Sequence, residues 1–170
     1  GSIGREIAKK AKALNMNVLA VKKHLTTELF VDELYTPDQL PEMLPKCDFV
    51  VLSLPLVEET RGLFDMKYFK IMKKSTYFIN ISRGGIVNEA DLITALQTGE
   101  IQGAGLDVFE DEPLPPTSPL WEMPNVIITP HVAALSPHYL DRAIKQFADN
   151  LARFAAGGEM FNLVDKYRGY

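Results

Sequence analysis

Arg83 ends an apolar run and is followed by two glycines, in NISRGGIVNEADL. A guanidinium there presents a planar fork of N–H donors that matches a carboxylate. His131 follows a second apolar run, in ITPHVA, and three acids, Glu110, Asp111 and Glu112, stand together in GLDVFEDEPLP. A carboxylate beside an imidazole fixes its tautomer and raises its pKa into the working range, which makes a better proton carrier. These residue types can hold an organic acid and move a proton on it. Spacing alone does not choose among Glu110, Asp111 and Glu112. Asp107, at the end of another run, can hold an amide, whereas His24 and His138 read as surface residues.

The chain opens GSIG, directly before a helical pattern. A helix start offers unpaired N–H groups and a positive dipole end, and glycine lets a diphosphate approach them. Gly1 and Gly4 fit the second and third glycines of the G-x-G-x-x-G turn, the first being absent from the chain. An acid about 20 residues further on would hold the ribose 2′-hydroxyl of NAD. Lys22 and Lys23 stand there instead, in VLAVKKH. Two ammonium groups attract a 2′-phosphate, which tilts the cofactor toward NADP over NAD.

These residues need elements to hold them. Ile3, Ile7, Ala8, Ala11 and Leu14 recur at helical spacing and predict a helix over 3–15. Strands are expected at 17–22, 32–36, 48–56, 76–82, 101–109 and 125–130. Short or regular helices fall between them at 37–47, 64–74 and 88–100, the last with an Asn88 cap and a stop near Gly99. The longest helix is predicted over 136–158, with Ser136 as cap and Pro137 at its first position. Buried strands alternating with helices mean an α/β fold with a parallel sheet covered on both faces. Residues 110–125 hold five prolines in sixteen positions and must form a partly fixed loop.

Composition narrows the function classes. A net charge of −4 gives no global basic field, so nucleic acid is not an expected partner. No apolar stretch approaches the ~20 residues of a membrane span. Cys47 is a lone cysteine with no metal-type spacing around it, so no metal site is expected and a reducing, cytoplasmic setting fits.

GSIG, then SLPL and ET, then NISRGGIVNEADLITALQTGEIQGAGLDVFEDEPLP, then TPHVA together closely resemble the cofactor domain of D-isomer-specific 2-hydroxyacid dehydrogenases. That family includes glyoxylate and hydroxypyruvate reductases and phosphoglycerate dehydrogenases. The resemblance covers essentially the whole chain, and the closing NLVDKYRGY is similar to the end of such proteins. It implies a Rossmann-like, doubly wound parallel sheet that binds NAD or NADP. It implies that Arg83 binds the substrate carboxylate, that His131 is the general acid/base and that Glu112 is its carboxylate partner. Ser2 and Ile3 would cradle the diphosphate. Leu54, Pro55 and Thr60 would line the adenosine and ribose, Ile81 and Ser82 would lie under the nicotinamide, Asp107 would hold its amide and Ala133 would lie nearby.

The family builds a separate catalytic domain from the start of its chain, and the helix and tail from about 136 to 170 return to it. Neither that domain nor the strand before GSIG is in this sequence, and in the usual order that strand lies mid-sheet. The 170-residue chain is therefore expected to be a cofactor-domain fragment, with exposed sheet edges and little or no turnover by itself. The family implies a homodimer and a small 2-oxo or 2-hydroxy acid substrate. The competing class is an NAD(H)-responsive corepressor-like binding module, against which all three catalytic residue types stand. A formate dehydrogenase branch is disfavoured by Glu112.

Overall fold

The computed structural model describes residues 1–167. Arg168, Gly169 and Tyr170, the end of the closing motif, lie outside the described residues. The chain divides into two compact units, Gly1–Pro130 and His131–Tyr170.

The first unit is α/β. Helix α1 (Ser2–Ala13) carries Lys10 and Lys12 in its last turn, where cations complement the dipole. Asn15 follows at φ 58, a left-handed position that asparagine tolerates. Strands β1 (Leu19–Val21) and β2 (Glu33–Tyr35) pair in parallel, Leu19 opposite Glu33. Prolines 37, 41 and 45 break the next segment into short turns around α2 (Leu40–Met43).

β3 (Phe49–Leu52), β4 (Tyr77–Asn80), β5 (Gly103–Leu106) and β6 (Val126–Ile128) form a parallel four-stranded sheet in chain order. Between them lie α3 (Met66–Ile71) and α4 (Glu89–Gln97). Asp65 caps α3, accepting from the N–H groups of Lys67 and Tyr68 at 3.0 and 3.3 Å. Asn88 caps α4 as the sequence predicts, and Gly99, at φ 69, lies just past its end.

The sheet is in two pieces. Among the described residues no strand joins the β1–β2 pair to β3, so β1 and β3 each have one hydrogen-bonded neighbour. That break falls where the usual order places the strand preceding the glycine turn.

One face of the larger sheet is dry. Val50, Leu52, Phe78, Ala104 and Leu106 join residues of α2, α3 and α4 in a single core. Phe78 stands at its centre, edge-on to Phe69 at 5.3 Å and tilted against Phe64 at 5.4 Å. The opposite row differs from the expected cover on both faces, because all three of those helices pack on the first side. Phe49 and Tyr77 stack at 5.8 Å yet remain 48% and 44% exposed, and Ile127 is 73% exposed.

The second unit centres on α5 (Tyr139–Ala155). It begins three residues later than the sequence predicts. Ser136 does not cap it: its carbonyl instead accepts the Tyr139 N–H, which places Pro137 in a preceding turn. Gly157, at φ 67, and the Gly158 N–H on the Arg153 carbonyl close the helix at its expected end. Leu140, Ile144, Phe147, Leu151 and Phe154 recur at helical spacing and all stay exposed. No helix of the described residues is long and apolar enough to cross a membrane.

Candidate active site

The turn after β4 is assembled by Asn80, which is 1% exposed. Its side-chain oxygen accepts the Ser82 N–H at 3.0 Å, its amide donates to the Arg83 carbonyl at 3.1 Å, and its own carbonyl accepts the Asp107 N–H at 3.0 Å. One buried amide thus shapes the Arg83 turn and ties it to the end of β5. Sequence reasoning missed it, although a polar residue inside TYFINIS is a visible signal.

Arg83 is exposed, with one guanidinium nitrogen donating to the Ser82 carbonyl at 2.7 Å. Gly84, next to it, is obligatory. A Cβ there would lie 1.8 Å from the Phe109 carbonyl oxygen and 2.5 Å from the Glu110 nitrogen. The Arg83–Gly84 turn therefore packs backbone to backbone on the loop that carries Glu112. The Glu112 carboxylate accepts the Phe109 N–H at 3.1 Å, which folds the loop over, and the Glu112–Pro113 peptide is cis. Glu110 points elsewhere, to the start of α4. The proline-rich segment beyond is pinned by Trp121, whose indole N–H donates to the Pro115 carbonyl at 2.9 Å, and by Leu120, 1% exposed.

Ser82 is buried, and its hydroxyl accepts the Leu54 N–H at 3.1 Å, so the ends of β3 and β4 are joined. Ile81 is half-buried beside it. Thr60 closes the loop after β3: its hydroxyl donates to the Pro55 carbonyl at 2.8 Å and accepts the Val57 N–H at 2.9 Å. The following segment straps onto the Arg83 turn through the Gly62 N–H on the Gly85 carbonyl at 2.9 Å. Asp107 is buried, 4% exposed, and takes the Thr129 hydroxyl on its carboxylate.

The glycine turn is open. Gly1 stands at the N-cap of α1 with nothing within 4 Å of a Cβ position, and the first turn holds no acidic side chain. Ser2 and Ile3 are exposed. A Cβ on Gly4 would meet the Ser53 hydroxyl at 3.1 Å, so this helix start lies against the end of β3. Room without a side chain, unpaired N–H groups and a first turn without acidic side chains fit the diphosphate of a dinucleotide.

The two lysines after β1 part company. Lys22 donates to the Thr26 hydroxyl at 2.7 Å and pairs with Glu28, which Arg5 also grips at 2.8 and 3.0 Å. Hydrogen bonds from Arg5 and then Lys22 lower the Glu28 pKa to about 2. Lys23 is 68% exposed and only reaches Glu59, at 4.0 Å. Sequence reasoning did not foresee the Arg5–Glu28–Lys22 cluster, since its members come from three segments. Cys47 is half-buried, its thiol donating to the Met43 carbonyl, and burial raises its pKa.

His131 and Ala133 belong to the second unit, which His131 begins. His131 adopts φ 54, a left-handed conformation uncommon outside glycine and enriched at functional positions. Within the first unit, then, the structure gathers Arg83, Glu112, Asp107, Ser82 and Leu54 at the ends of β3–β5, with the glycine turn beside β3.

Residues 1–133 match the model of the D-isomer specific 2-hydroxyacid dehydrogenase, NAD binding domain. The chain is 42% identical over 168 residues to a glyoxylate/hydroxypyruvate reductase B from Escherichia fergusonii, covering 97% of this chain and 51% of that protein. It is 39% identical over 169 residues to a glyoxylate reductase from Korarchaeum cryptofilum, covering 98% and 50%. The chain thus spans about half the length of the curated relatives it matches. Among solved structures, an NADPH-dependent glyoxylate/hydroxypyruvate reductase from Sinorhizobium meliloti, in complex with NADP and sulfate, superposes with a TM-score of 0.94 at 38% identity. That match covers all of this chain and 54% of the other. The match over residues 1–133 shows that the chain belongs to the D-isomer-specific 2-hydroxyacid dehydrogenases, through their NAD-binding domain.

Proposed function

We propose that the protein carrying this chain is an NAD(P)-dependent D-2-hydroxyacid dehydrogenase that works as a reductase of small 2-oxo acids such as glyoxylate and hydroxypyruvate. When bound, the nicotinamide cofactor supplies the hydride for C2 of the substrate. Arg83 holds the substrate carboxylate and stabilises the charge that develops on the 2-oxo oxygen. His131, protonated, gives that oxygen its proton; in the reverse direction the neutral imidazole takes it. Glu112 stabilises the imidazolium. Asp107 holds the nicotinamide amide, Ile81, Ser82 and Ala133 lie against the ring, and Leu54, Pro55 and Thr60 line the adenosine side. The N–H groups at Gly1–Gly4 take the diphosphate, and the protein acts as a homodimer.

The observation that carries this reading is the packing of the Arg83–Gly84 turn on the Phe109–Glu112 loop, which sets a carboxylate binder and the carboxylate proposed to partner the acid/base at the same end of a parallel sheet. The lysines after β1 favour NADPH, as does the NADPH dependence named for the Sinorhizobium meliloti relative. A continuous assay of the full-length protein against a panel of 2-oxo acids, with NADH and NADPH in parallel, tests it. NADPH oxidation with glyoxylate or hydroxypyruvate is expected, and Arg83→Ala should lower kcat/KM by about 10²–10³. Absence of turnover on every 2-oxo acid overturns the reading; a preference for NADH above about tenfold overturns the cofactor choice alone.

A further inference from the structure

Two segments flank the adenosine side proposed above, the end of β1 and the loop after β3, and their charged side chains meet. The Lys23 ammonium lies 4.0 Å from a Glu59 carboxylate oxygen. Lys23 follows β1, where the Lys22 N–H donates to the Tyr35 carbonyl at 2.9 Å and holds the backbone. Glu59 is carried by the short turn Glu58–Thr60, next to Thr60. The Thr60 hydroxyl closes that turn by donating to the Pro55 carbonyl and accepting the Val57 N–H, and the Thr60 N–H donates to the Val57 carbonyl at 3.0 Å. Both main chains are therefore fixed, while the two side chains, 68% and 72% exposed, are able to swing.

The pair does little for the fold, since an ion pair so exposed adds little to stability. Its effect falls on whatever approaches Lys23. The other two cations of this rim are engaged: Arg5 and Lys22 both hold Glu28, and their hydrogen bonds lower its pKa to about 2. Glu59 is the carboxylate that stands beside the remaining ammonium. A 2′-phosphate carries the same sign of charge as Glu59 and seeks the same cation, so the two compete. A ribose 2′-hydroxyl is neutral and makes no such demand.

We propose that Glu59 is a determinant of cofactor choice: it competes with the 2′-phosphate of NADPH for Lys23 and holds the preference for NADPH over NADH below what Lys23 alone would give. The inference rests on the assignment of the lysines after β1 to NADPH made above. It puts one half of the choice on the loop after β3, outside the segment in which the lysines lie.

The test is Glu59→Gln in the full-length protein, which keeps the length of the side chain and removes its charge. At low salt this variant should lower the KM for NADPH about fourfold and leave kcat and the KM for NADH unchanged. Raising the salt to about 0.5 M should shrink the difference. Glu58→Gln removes the neighbouring exposed charge and should change neither KM. In a Lys23→Ala background the gain from Glu59→Gln should vanish. An unchanged KM for NADPH, an equal fall for both cofactors, or the same gain from Glu58→Gln overturns the inference. A gain that persists without Lys23 overturns it as well, because the competition for that ammonium is then not its source. Lys23→Ala alone separates the two levels. If it raises the KM for NADPH while Glu59→Gln changes nothing, only the role of Glu59 fails; if it leaves the KM for NADPH as it was, the reading of Lys23 falls and this inference with it.

Discussion

At the Arg83 turn the backbone makes most of the contacts. Gly84 touches the Phe109 carbonyl, Asn80 satisfies three main-chain groups, and Asp107 and Ser82 are buried beside them. At the opposite rim, from Gly1 to Lys23, side chains rather than backbone set the character: Arg5 and Lys22 share the partly buried Glu28, Lys23 stands in solvent, and Gly1 meets nothing. Backbone packing holds atoms within a few tenths of an ångström and tolerates little change. Ion pairs at a surface shift easily and are exchanged at small cost. The turn is suited to placing groups for bond making, and the rim is suited to choosing between related cofactors.

The contrast is sharpest at its two glycines. Gly84→Ala forces a methyl to 1.8 Å from a carbonyl oxygen, and neither backbone can retreat without breaking the Asn80 and Asp107 bonds. A loss of about 3 kcal/mol or more in urea unfolding is expected, with activity abolished. Gly4→Ala meets only the Ser53 hydroxyl at 3.1 Å, which can rotate, and alanine is the better helix former by about 1 kcal/mol. That variant should be as stable as the parent or more so, while cofactor binding weakens. Similar stabilities for the two would erase the distinction between turn and rim.

A smaller effect separates the lysines. Lys23→Ala should raise the KM for NADPH about tenfold and leave that for NADH unchanged, because its ammonium is the more exposed of the two. Lys22→Ala should change both cofactors little. Equal losses of NADPH affinity would mean that the 2′-phosphate draws Lys22 away from Glu28.

The smallest effect is on pH. The Glu28 pKa lies at about 2 in the folded chain against an ordinary 4.5. A depressed carboxylate pKa gives stability that is present above the ordinary value and lost as pH falls through the folded one. Glu28→Gln should therefore flatten the fall of the thermal midpoint between pH 4.5 and about 2, with the curves converging at the acid end. An unaltered slope would remove Glu28 from the list of acid-sensitive contacts.

Legibility in the sequence follows the same division. The helix caps at Asn88 and Gly99, the short proline-broken turns and the alternation of strands were readable, because each depends on neighbours in the chain. Arg83 and its glycines were readable for the same reason. Asn80, the Glu89–Glu110 contact and the Arg5–Glu28–Lys22 cluster were not. Each joins segments whose meeting depends on strand register or helix placement. Ser136 misled because its carbonyl, rather than its side chain, serves the first turn of α5.

The larger sheet has one more consequence. Each of β3, β4 and β5 pairs with the strand that comes next in the chain. Every pairing therefore closes a loop of similar, modest length, and chain entropy is lost in even steps rather than in one long closure. A ribosome releasing this segment would hand each strand a finished template, so the arginine turn and the glutamate loop can be assembled in the order in which they are synthesised.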